Sequence, residues 1–112
     1  MALYLAIGEY LDPGALLPPQ GVAQIVEQAV LPSFEALAKL QEQRKIVAGG
    51  IYSGDRRGAF ILDVADNDEA NRVLMSLPFW GLVKWTLTPM QSFRERASDE
   101  AKLIAQLKAT LK

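Results

Sequence analysis

The stretch IVAGGIYSGDRRGAFILDV, residues 46–64, constrains the fold more than any other part of the sequence. Two apolar runs rich in strand-forming residues flank a polar segment, 53–58, that contains Gly54 and Asp55. Because glycine and aspartate are favoured where a chain reverses direction, this pattern predicts a β-hairpin. The paired glycines Gly49 and Gly50 are not followed by a helix start, so we expect a β-bulge there and not a phosphate-binding loop.

The segment before the hairpin predicts one strand and one long helix. Alternating apolar residues predict a strand over 3–10, and Asp12-Pro13-Gly14 ends it in a loop. Prolines 18 and 19 suit the start of a helix. Its buried face follows the i, i+3, i+4 spacing and consists of Val22, Ile25, Val26, Ala29, Ser33, Ala36, Leu37 and Leu40.

Pro32 lies inside this helical pattern. Proline lacks an N–H donor and crowds the preceding turn, which costs about 3 kcal/mol in an unbroken helix. The apolar stripe nevertheless stays in register from Ala29 to Ala36. We therefore expect one kinked helix, with two separate helices as the alternative.

The segment after the hairpin predicts a second helix and a fourth strand. Asp66 and Glu69 have the spacing of a capping box, and Pro78 ends the helix. The strand covers 83–90. The order β-α-β-β-α-β predicts a ferredoxin-like α+β fold: a four-stranded antiparallel sheet with both helices on one face, in a single domain spanning 1–112.

Residues 93–112 remain after this unit and predict a C-terminal helix with a cap at Ser98. Its apolar stripe consists of Ala97, Ala101, Ile104, Leu107 and Leu111. The predicted sheet has one face without helices, and an exposed apolar face favours association. We expect a homodimer, or a larger homo-oligomer, with the C-terminal helix crossing onto the partner; the alternative is that this helix folds back on its own subunit.

Composition excludes several kinds of chemistry. The chain has no cysteine and no histidine, which excludes disulfides, thiolate nucleophiles, Cys/His zinc sites and histidine general bases. We predict no cofactor and no metal. The formal charge of −1, without blocks of like charge, predicts no nucleic-acid partner. A basic n-region is lacking, and no apolar stretch approaches the ~20 residues of a membrane span, so we expect a soluble cytoplasmic protein without a membrane partner.

The sequence from about Leu37 to Met90 resembles the muconolactone isomerase family, small dimeric α+β-barrel proteins of ferredoxin-like type. The matching marks are short: Leu40-Gln41, the Gly54 turn, Asp63-Val64 and Leu77-Pro78-Phe79. The resemblance implies a small-molecule-binding protein or an isomerase-like enzyme.

Two elements of the family's isomerase pattern do not match this sequence. Lactone-isomerising members carry His, Trp and Arg over the second strand, and this chain has none of these at residues 46–51. A helix glutamate of the family falls near Ser33, with Glu35 close by.

Strand alternation predicts which side chains line the helix-free face, and there we expect the ligand pocket. In the third strand Phe60, Leu62 and Val64 are assigned to the core, and in the fourth Val83, Trp85 and Leu87. In the first strand Leu3, Leu5 and Ile7 are assigned to the core. The helix-free face would then present Tyr4, Ala6, Gly8, Tyr10, Ala59, Ile61, Asp63, Lys84, Thr86 and Thr88.

The predicted catalytic residues are Asp63, Lys84 and Tyr4. A partly buried carboxylate can remove a proton next to a carbonyl, and an ammonium or phenol can stabilise the enolate. The alternative is that Asp63 and Lys84 form an ordinary ion pair, or that Asp63 caps a turn.

The predicted ligand-binding residues are Thr86, Tyr52, Phe79 and Trp80. For Phe79 and Trp80 the alternative is a plug that seals a helix end, and for Tyr52 a strand residue with a solvated hydroxyl.

Two functions from different classes follow. The first is an isomerase-like enzyme or binding protein that acts on a small carbonyl or lactone compound by proton transfer. The second is a non-catalytic oligomeric module that uses the open sheet face and the C-terminal helix for association. A cofactor-free monooxygenase of the same fold is a third possibility without a specific mark in the sequence.

Overall fold

A computed structural model describes residues 2–11 and 17–111, so the loop expected at 12–16 lies outside the described residues. The strands are β1 (Ala2–Tyr10), β2 (Ile46–Ile51), β3 (Arg57–Val64) and β4 (Val83–Met90). The helices are α1 (Pro19–Ile25), α2 (Leu31–Glu42), α3 (Asn67–Met75) and α4 (Phe93–Thr110), with a π-helical segment Val26–Val30 and a 3-10 turn Trp80–Leu82.

The four strands form one antiparallel sheet in the order β2-β3-β1-β4. The central hairpin pairs β2 with β3, and β1 lies between β3 and β4. A register shift between Ile46 and Ala48 places the bulge of β2 at Val47, just before the glycine pair for which it was expected. The order and pairing confirm the predicted ferredoxin-like α+β architecture.

One continuous helical run, residues 19–42, covers the sheet, and we call it the long helix. The π-helical segment Val26–Val30 ends two residues before Pro32. Proline at that position cannot donate to a carbonyl four residues earlier, and a π segment accommodates the missing bond without ending the helix. The helix therefore continues through Pro32 as expected, and does not divide into two separate helices, with the π segment taking up the missing bond.

The core lies between the sheet and the helices. Phe60, Leu62 and Val64 of β3 are buried against Ala70 and Leu74 of α3 and their neighbours. Because β-strand side chains alternate between faces, this places Ala59, Ile61 and Asp63 on the helix-free face, as predicted. In β4, Val83, Trp85 and Leu87 pack against the core, also as predicted.

The face assignment of β1 was wrong. Tyr4 and Ala6 are buried in the helix-covered core, and Leu3, Leu5 and Ile7 are only half-buried. The pairing gives the reason: Tyr4 lies opposite Leu62 and Ala6 opposite Phe60, and directly opposed residues share a face. Both sets of β1 residues are apolar enough for the core, so alternation alone did not decide between them.

Side-chain caps fix the starts of α3 and α4. Asp66 Oδ1 accepts the Glu69 N–H at 2.9 Å, which confirms the predicted capping pattern, and Glu69 Oε2 accepts the Ala65 N–H at 2.8 Å. The start of α4 is capped by Ser92, whose Oγ accepts the Glu95 N–H at 3.1 Å, so the expected cap at Ser98 was wrong. Ser98 lies inside the helix.

The C-terminal helix α4 extends away from the rest of the described chain. Every residue of α4 is exposed, including Phe93, Ile104 and Leu107 of its apolar residues. The described residues measure 72 × 29 × 25 Å along their principal axes, which reflects this projection. The helix does not fold back on the other described elements, and its apolar stripe is not covered by any of the residues that the structure describes.

Candidate functional site

A cavity lies between the long helix and the sheet, on the helix-covered side. Its volume is 690 Å³, within the range of sites that hold small organic ligands. Most of its walls are apolar. The pocket predicted on the helix-free face stays a prediction, and the cavity described here lies on the other face, where the pairing of β1 places Tyr4 and Gly8.

The floor of the cavity is formed by backbone where three strands carry glycine. Gly8 and Gly58 are directly opposed, and both line the cavity. A Cβ on Gly8 would lie 2.8 Å from Trp85 Cζ3, and one on Gly58 would lie 2.7 Å from Ile51 Cδ1. The glycines therefore allow Trp85 and Ile51 to pack directly against the sheet, and both of these side chains line the cavity.

Four aromatic rings form one end of the cavity. Phe34 contacts Phe79 edge to face with centroids 5.8 Å apart, Phe79 contacts Trp85 at 6.1 Å, and Trp85 contacts Phe60 at 5.9 Å. All four residues line the cavity. Edge-to-face contacts hold aromatic rings in defined orientations, so this end is a preformed aromatic wall.

A buried hydroxyl holds part of this wall in place. Ser33 has no exposed surface, and its Oγ accepts the Phe79 N–H at 2.9 Å while donating to the Ala29 carbonyl at 2.7 Å. The bond to Phe79 joins the middle of the long helix to the turn that follows α3, whereas the bond to Ala29 lies within the helix. Phe79, which is 6 % exposed, is fixed by its backbone as well as by packing.

The opposite end of the cavity is polar and is formed by the β2–β3 turn. Asp55 Oδ2 accepts from Arg57 Nε at 2.9 Å and lies 2.7 Å from Arg57 Nη2, and Asp55 Oδ1 accepts the Arg56 N–H at 2.6 Å. The Arg56 guanidinium lies over the Tyr10 ring, 5.8 Å from its centroid. Arg57 lies equally far from the Tyr52 centroid. A carboxylate, two guanidinium groups and a phenol therefore meet at the cavity rim.

Electrostatics within the turn keep the carboxylate ionised. The side-chain hydrogen bond from Arg57, followed by the backbone hydrogen bond from Arg56, lowers the pKa of Asp55 below its ordinary value. The same hydrogen bond raises the pKa of Arg57. Opposite charges favour each other's ionised form.

The structure separates the three predicted catalytic residues. Tyr4 is buried in the core on the helix side, whereas Asp63 and Lys84 lie on the helix-free face. On that face Asp63 lies opposite Leu3 and Lys84 opposite Glu9. Six residues of β1 thus separate their positions, which corresponds to about 20 Å along the strand. The three side chains do not converge on one cavity in a single chain.

Of the predicted ligand-binding residues, Phe79 lines the cavity. Thr86 lies exposed on the helix-free face, and Tyr52 lies beside the turn without lining the cavity. Trp80 is partly exposed and lines a second, shallower cavity of 470 Å³ on the far side of Trp85. The structure therefore brings only Phe79 to the main cavity.

Sequence reasoning did not assign to a site the polar residues that line this cavity, namely Tyr10, Gln41, Asp55, Arg56 and Arg57. The two arginines belong to the polar turn of the predicted hairpin, and arginines on a loop are usually solvated. A usable signal was the Arg-Arg pair directly after Asp55.

The part of the chain that the structure describes contains neither a group of metal-ligating side chains nor a membrane-spanning helix. Within residues 2–11 and 17–111, no group of three or more acidic side chains is arranged to hold a metal ion. No helix in the same residues combines the length and apolarity that crossing a membrane requires.

Comparison with known families identifies the class of protein. A family model described as Muconolactone delta-isomerase matches residues 15–96, which is most of the chain. The chain therefore belongs to the muconolactone delta-isomerase family, and the resemblance inferred from the sequence is confirmed. Membership indicates an enzyme of the isomerase kind that converts a small molecule.

Solved structures agree on the fold. A 5-chloro-2-hydroxyhydroquinone dehydrochlorinase from Burkholderia phenoliruptrix AC1100, in complex with 2,5-dihydroxybenzoquinone, superposes with a TM-score of 0.53. The identity is 21%, and the match covers 83% of this chain and 97% of that one. The ferredoxin-like fold, of the kind that forms dimeric α+β barrels in this family, is thereby established. No curated protein sequence matches the chain.

Proposed function

We propose that this protein is an isomerase-like enzyme that moves a proton within a small carbonyl or lactone compound bound in the cavity between the long helix and the sheet. The observation that carries the proposal is the Asp55 carboxylate at the cavity rim, flanked by Arg56, Arg57 and Tyr10. Family membership supports an enzyme of this kind. The chain supplies no histidine, so a carboxylate is the available base.

The proton transfer has two steps. Asp55 removes a proton from the carbon next to the carbonyl, the electron pair of the broken C–H bond forms a carbon–carbon double bond, and the π pair of the carbonyl moves onto its oxygen. The Arg56 guanidinium and the Tyr10 hydroxyl stabilise the resulting enolate. Asp55 then returns the proton to the far end of the conjugated system, which shifts the double bond and regenerates the carboxylate.

The environment of Asp55 limits which substrates suit this reaction. Its lowered pKa keeps the carboxylate ionised but makes it a weak base. A weak base removes a proton efficiently only from a carbon whose anion is strongly delocalised. The preferred substrate therefore has its carbonyl conjugated with a double bond or a ring.

The test is proton exchange measured on the intact protein. The chain is incubated in D₂O with an enolisable butenolide lactone, and loss of the α-proton signal is followed by ¹H NMR. Because a positioned general base typically contributes about 10²–10⁴-fold, Asp55→Asn is expected to slow the exchange by at least about 10²-fold. Asp63→Asn is the matched control, since this carboxylate lies on the other face of the sheet.

The outcomes of this experiment distinguish between the two carboxylates and test whether the protein is an enzyme. Exchange that is lost in Asp55→Asn and kept in Asp63→Asn supports the cavity site. Loss in Asp63→Asn alone would move the chemistry to the helix-free face and overturn the assignment of Asp55. If the unaltered protein catalyses no exchange of any conjugated carbonyl probe, the enzymatic proposal fails.

We also propose that the chain forms a homodimer through its helix-free sheet face. This face carries the half-buried apolar residues Leu3, Leu5, Ile7 and Ile61. Asp63 Oδ1 is buried there without a hydrogen-bond partner in the described chain, and buried polar atoms are normally paired. The apolar stripe of α4, which no described residue covers, also indicates association with a second chain. A non-catalytic association module remains the second candidate on these observations, and the exchange experiment distinguishes it from the enzyme.

A further inference from the structure

We infer that the cavity binds a planar compound of two or three fused rings, with its oxygen substituents directed at the β2–β3 turn. This inference rests on the proposed role of the cavity and specifies the class of ligand. Such a ligand is larger than a single-ring lactone. Three observations support the inference.

The first observation is volume. An engineered protein cavity of about 150 Å³ lined by aliphatic and aromatic side chains is enough to hold one benzene molecule. The cavity here, at 690 Å³, is several times larger. A single ring would leave most of the apolar wall in contact with water, whereas fused rings would cover it.

The second observation is the arrangement of the walls. Phe34, Phe60, Phe79 and Trp85 form an aromatic wall held by edge-to-face contacts. Gly8 and Gly58 carry no side chain, so Trp85 and Ile51 pack directly against the sheet there, and both line the cavity. An aromatic wall with fixed ring orientations favours a rigid planar ligand over a flexible chain.

The third observation is the separation of apolar and polar ends along β1. Phe60 lies opposite Ala6, and Tyr10 lies at the end of the same strand, where its N–H binds the Arg56 carbonyl. Four residues separate Ala6 from Tyr10, which corresponds to about 13 Å. The charged lining residues Asp55, Arg56 and Arg57 lie at the Tyr10 end, and Gln41 of α2 is a further polar residue in the lining. The ligand therefore directs its oxygen atoms mainly to the turn and carries apolar rings along its length.

The experiment compares three probes that share one polar head and differ in ring number. Salicylate, 3-hydroxy-2-naphthoate and 3-hydroxyanthracene-2-carboxylate have one, two and three rings, each with adjacent hydroxyl and carboxylate groups. Isothermal titration calorimetry of the full chain gives their dissociation constants. We expect at least about a tenfold gain in affinity from one ring to two, as the added apolar area enters the cavity. Equal affinities, or tightest binding of salicylate, would overturn the inference.

Substitutions on α2 show where the rings bind. Ala38 and Lys39 are both exposed, but only Ala38 lines the cavity, so Ala38→Trp places a large ring at the cavity wall and Lys39→Trp is the matched control. The gain in affinity per added ring should fall below threefold in Ala38→Trp and should persist in Lys39→Trp. Val26→Trp, at another lining position, repeats the test if Ala38→Trp does not fold by circular dichroism. A gain that persists in a folded cavity-filling variant would place the rings elsewhere and refute the inference.

The binding test and the exchange test fail independently. A gain in affinity with ring number but no proton exchange would leave the ligand class standing and refute the proposed reaction. Exchange on a butenolide without any gain from added rings would support the reaction and refute the ligand class.

Discussion

The hydroxyl of Ser33 and the backbone N–H of Phe79, 46 residues apart in sequence, form a buried hydrogen bond of 2.9 Å. It joins the long helix to the turn after α3 and fixes one ring of the aromatic wall. Position 33 is also close to where the family resemblance places a helix glutamate. Both hydrogen-bonding roles of the Ser33 hydroxyl are occupied, so in this chain the position is structural.

Ser33→Ala should lower the free energy of unfolding by about 1–3 kcal/mol, because the buried Phe79 N–H loses its acceptor. Urea denaturation followed by circular dichroism measures this change. Ser76→Ala is the control, since the Ser76 hydroxyl donates only to the Val73 carbonyl of its own helix. An equal and small effect of both substitutions would show that the Ser33–Phe79 bond does not stabilise the fold.

Gly49→Ala should destabilise the protein far more than Gly50→Ala. Gly49 has φ = 151°, and a Cβ there would lie 2.4 Å from Phe60 Cβ, whereas a Cβ on Gly50 meets no atom within 4 Å. Forcing a side chain into such a conformation costs about 1–3 kcal/mol before the clash is counted. Thermal unfolding of the two variants compares them directly, and similar melting temperatures would contradict the backbone geometry described for β2.

Arg57→Gln should raise the pKa of Asp55 towards its ordinary value, because it removes the hydrogen bond and the charge that hold the pKa down. NMR titration of the Asp55 carboxyl carbon measures the shift. In the proposed enzyme, the acidic limb of the exchange rate should move to higher pH, since the base form is lost at higher pH. Arg96→Gln, which removes an ion pair on α4, is the control and should leave the Asp55 titration unchanged.

The double substitution Ile104→Asp and Leu107→Asp should reduce the mass in solution from two chains to one. Both side chains lie exposed on the stripe of α4, and charges there would prevent burial against a second copy. Light scattering coupled to size exclusion measures the mass at micromolar concentration. Gln106→Asp, at an exposed polar position on the same helix, should leave the dimer intact. A single-chain mass for the unaltered protein would refute the dimer.

The sequence by itself determined the order of elements, because each element carries its own local signal. The β2–β3 turn, the capping residues Asp66 and Glu69, and the stripe that passes through Pro32 each depend on near neighbours in the chain. Local signals of this kind can be recognised in a single sequence, and they were sufficient to predict the ferredoxin-like fold and the family.

Only the tertiary structure decided where the cavity lies. Strand β1 has apolar residues on both faces, so its orientation was set by pairing Tyr4 with Leu62 and not by its own pattern. That pairing moved Tyr4 into the core and placed Gly8 and Tyr10 in the cavity beneath the long helix. Asp55 became a candidate base for the same reason: Arg56 and Arg57 adjoin it in sequence, but Tyr10 and the cavity walls come from distant parts of the chain, and only folding brings them to it.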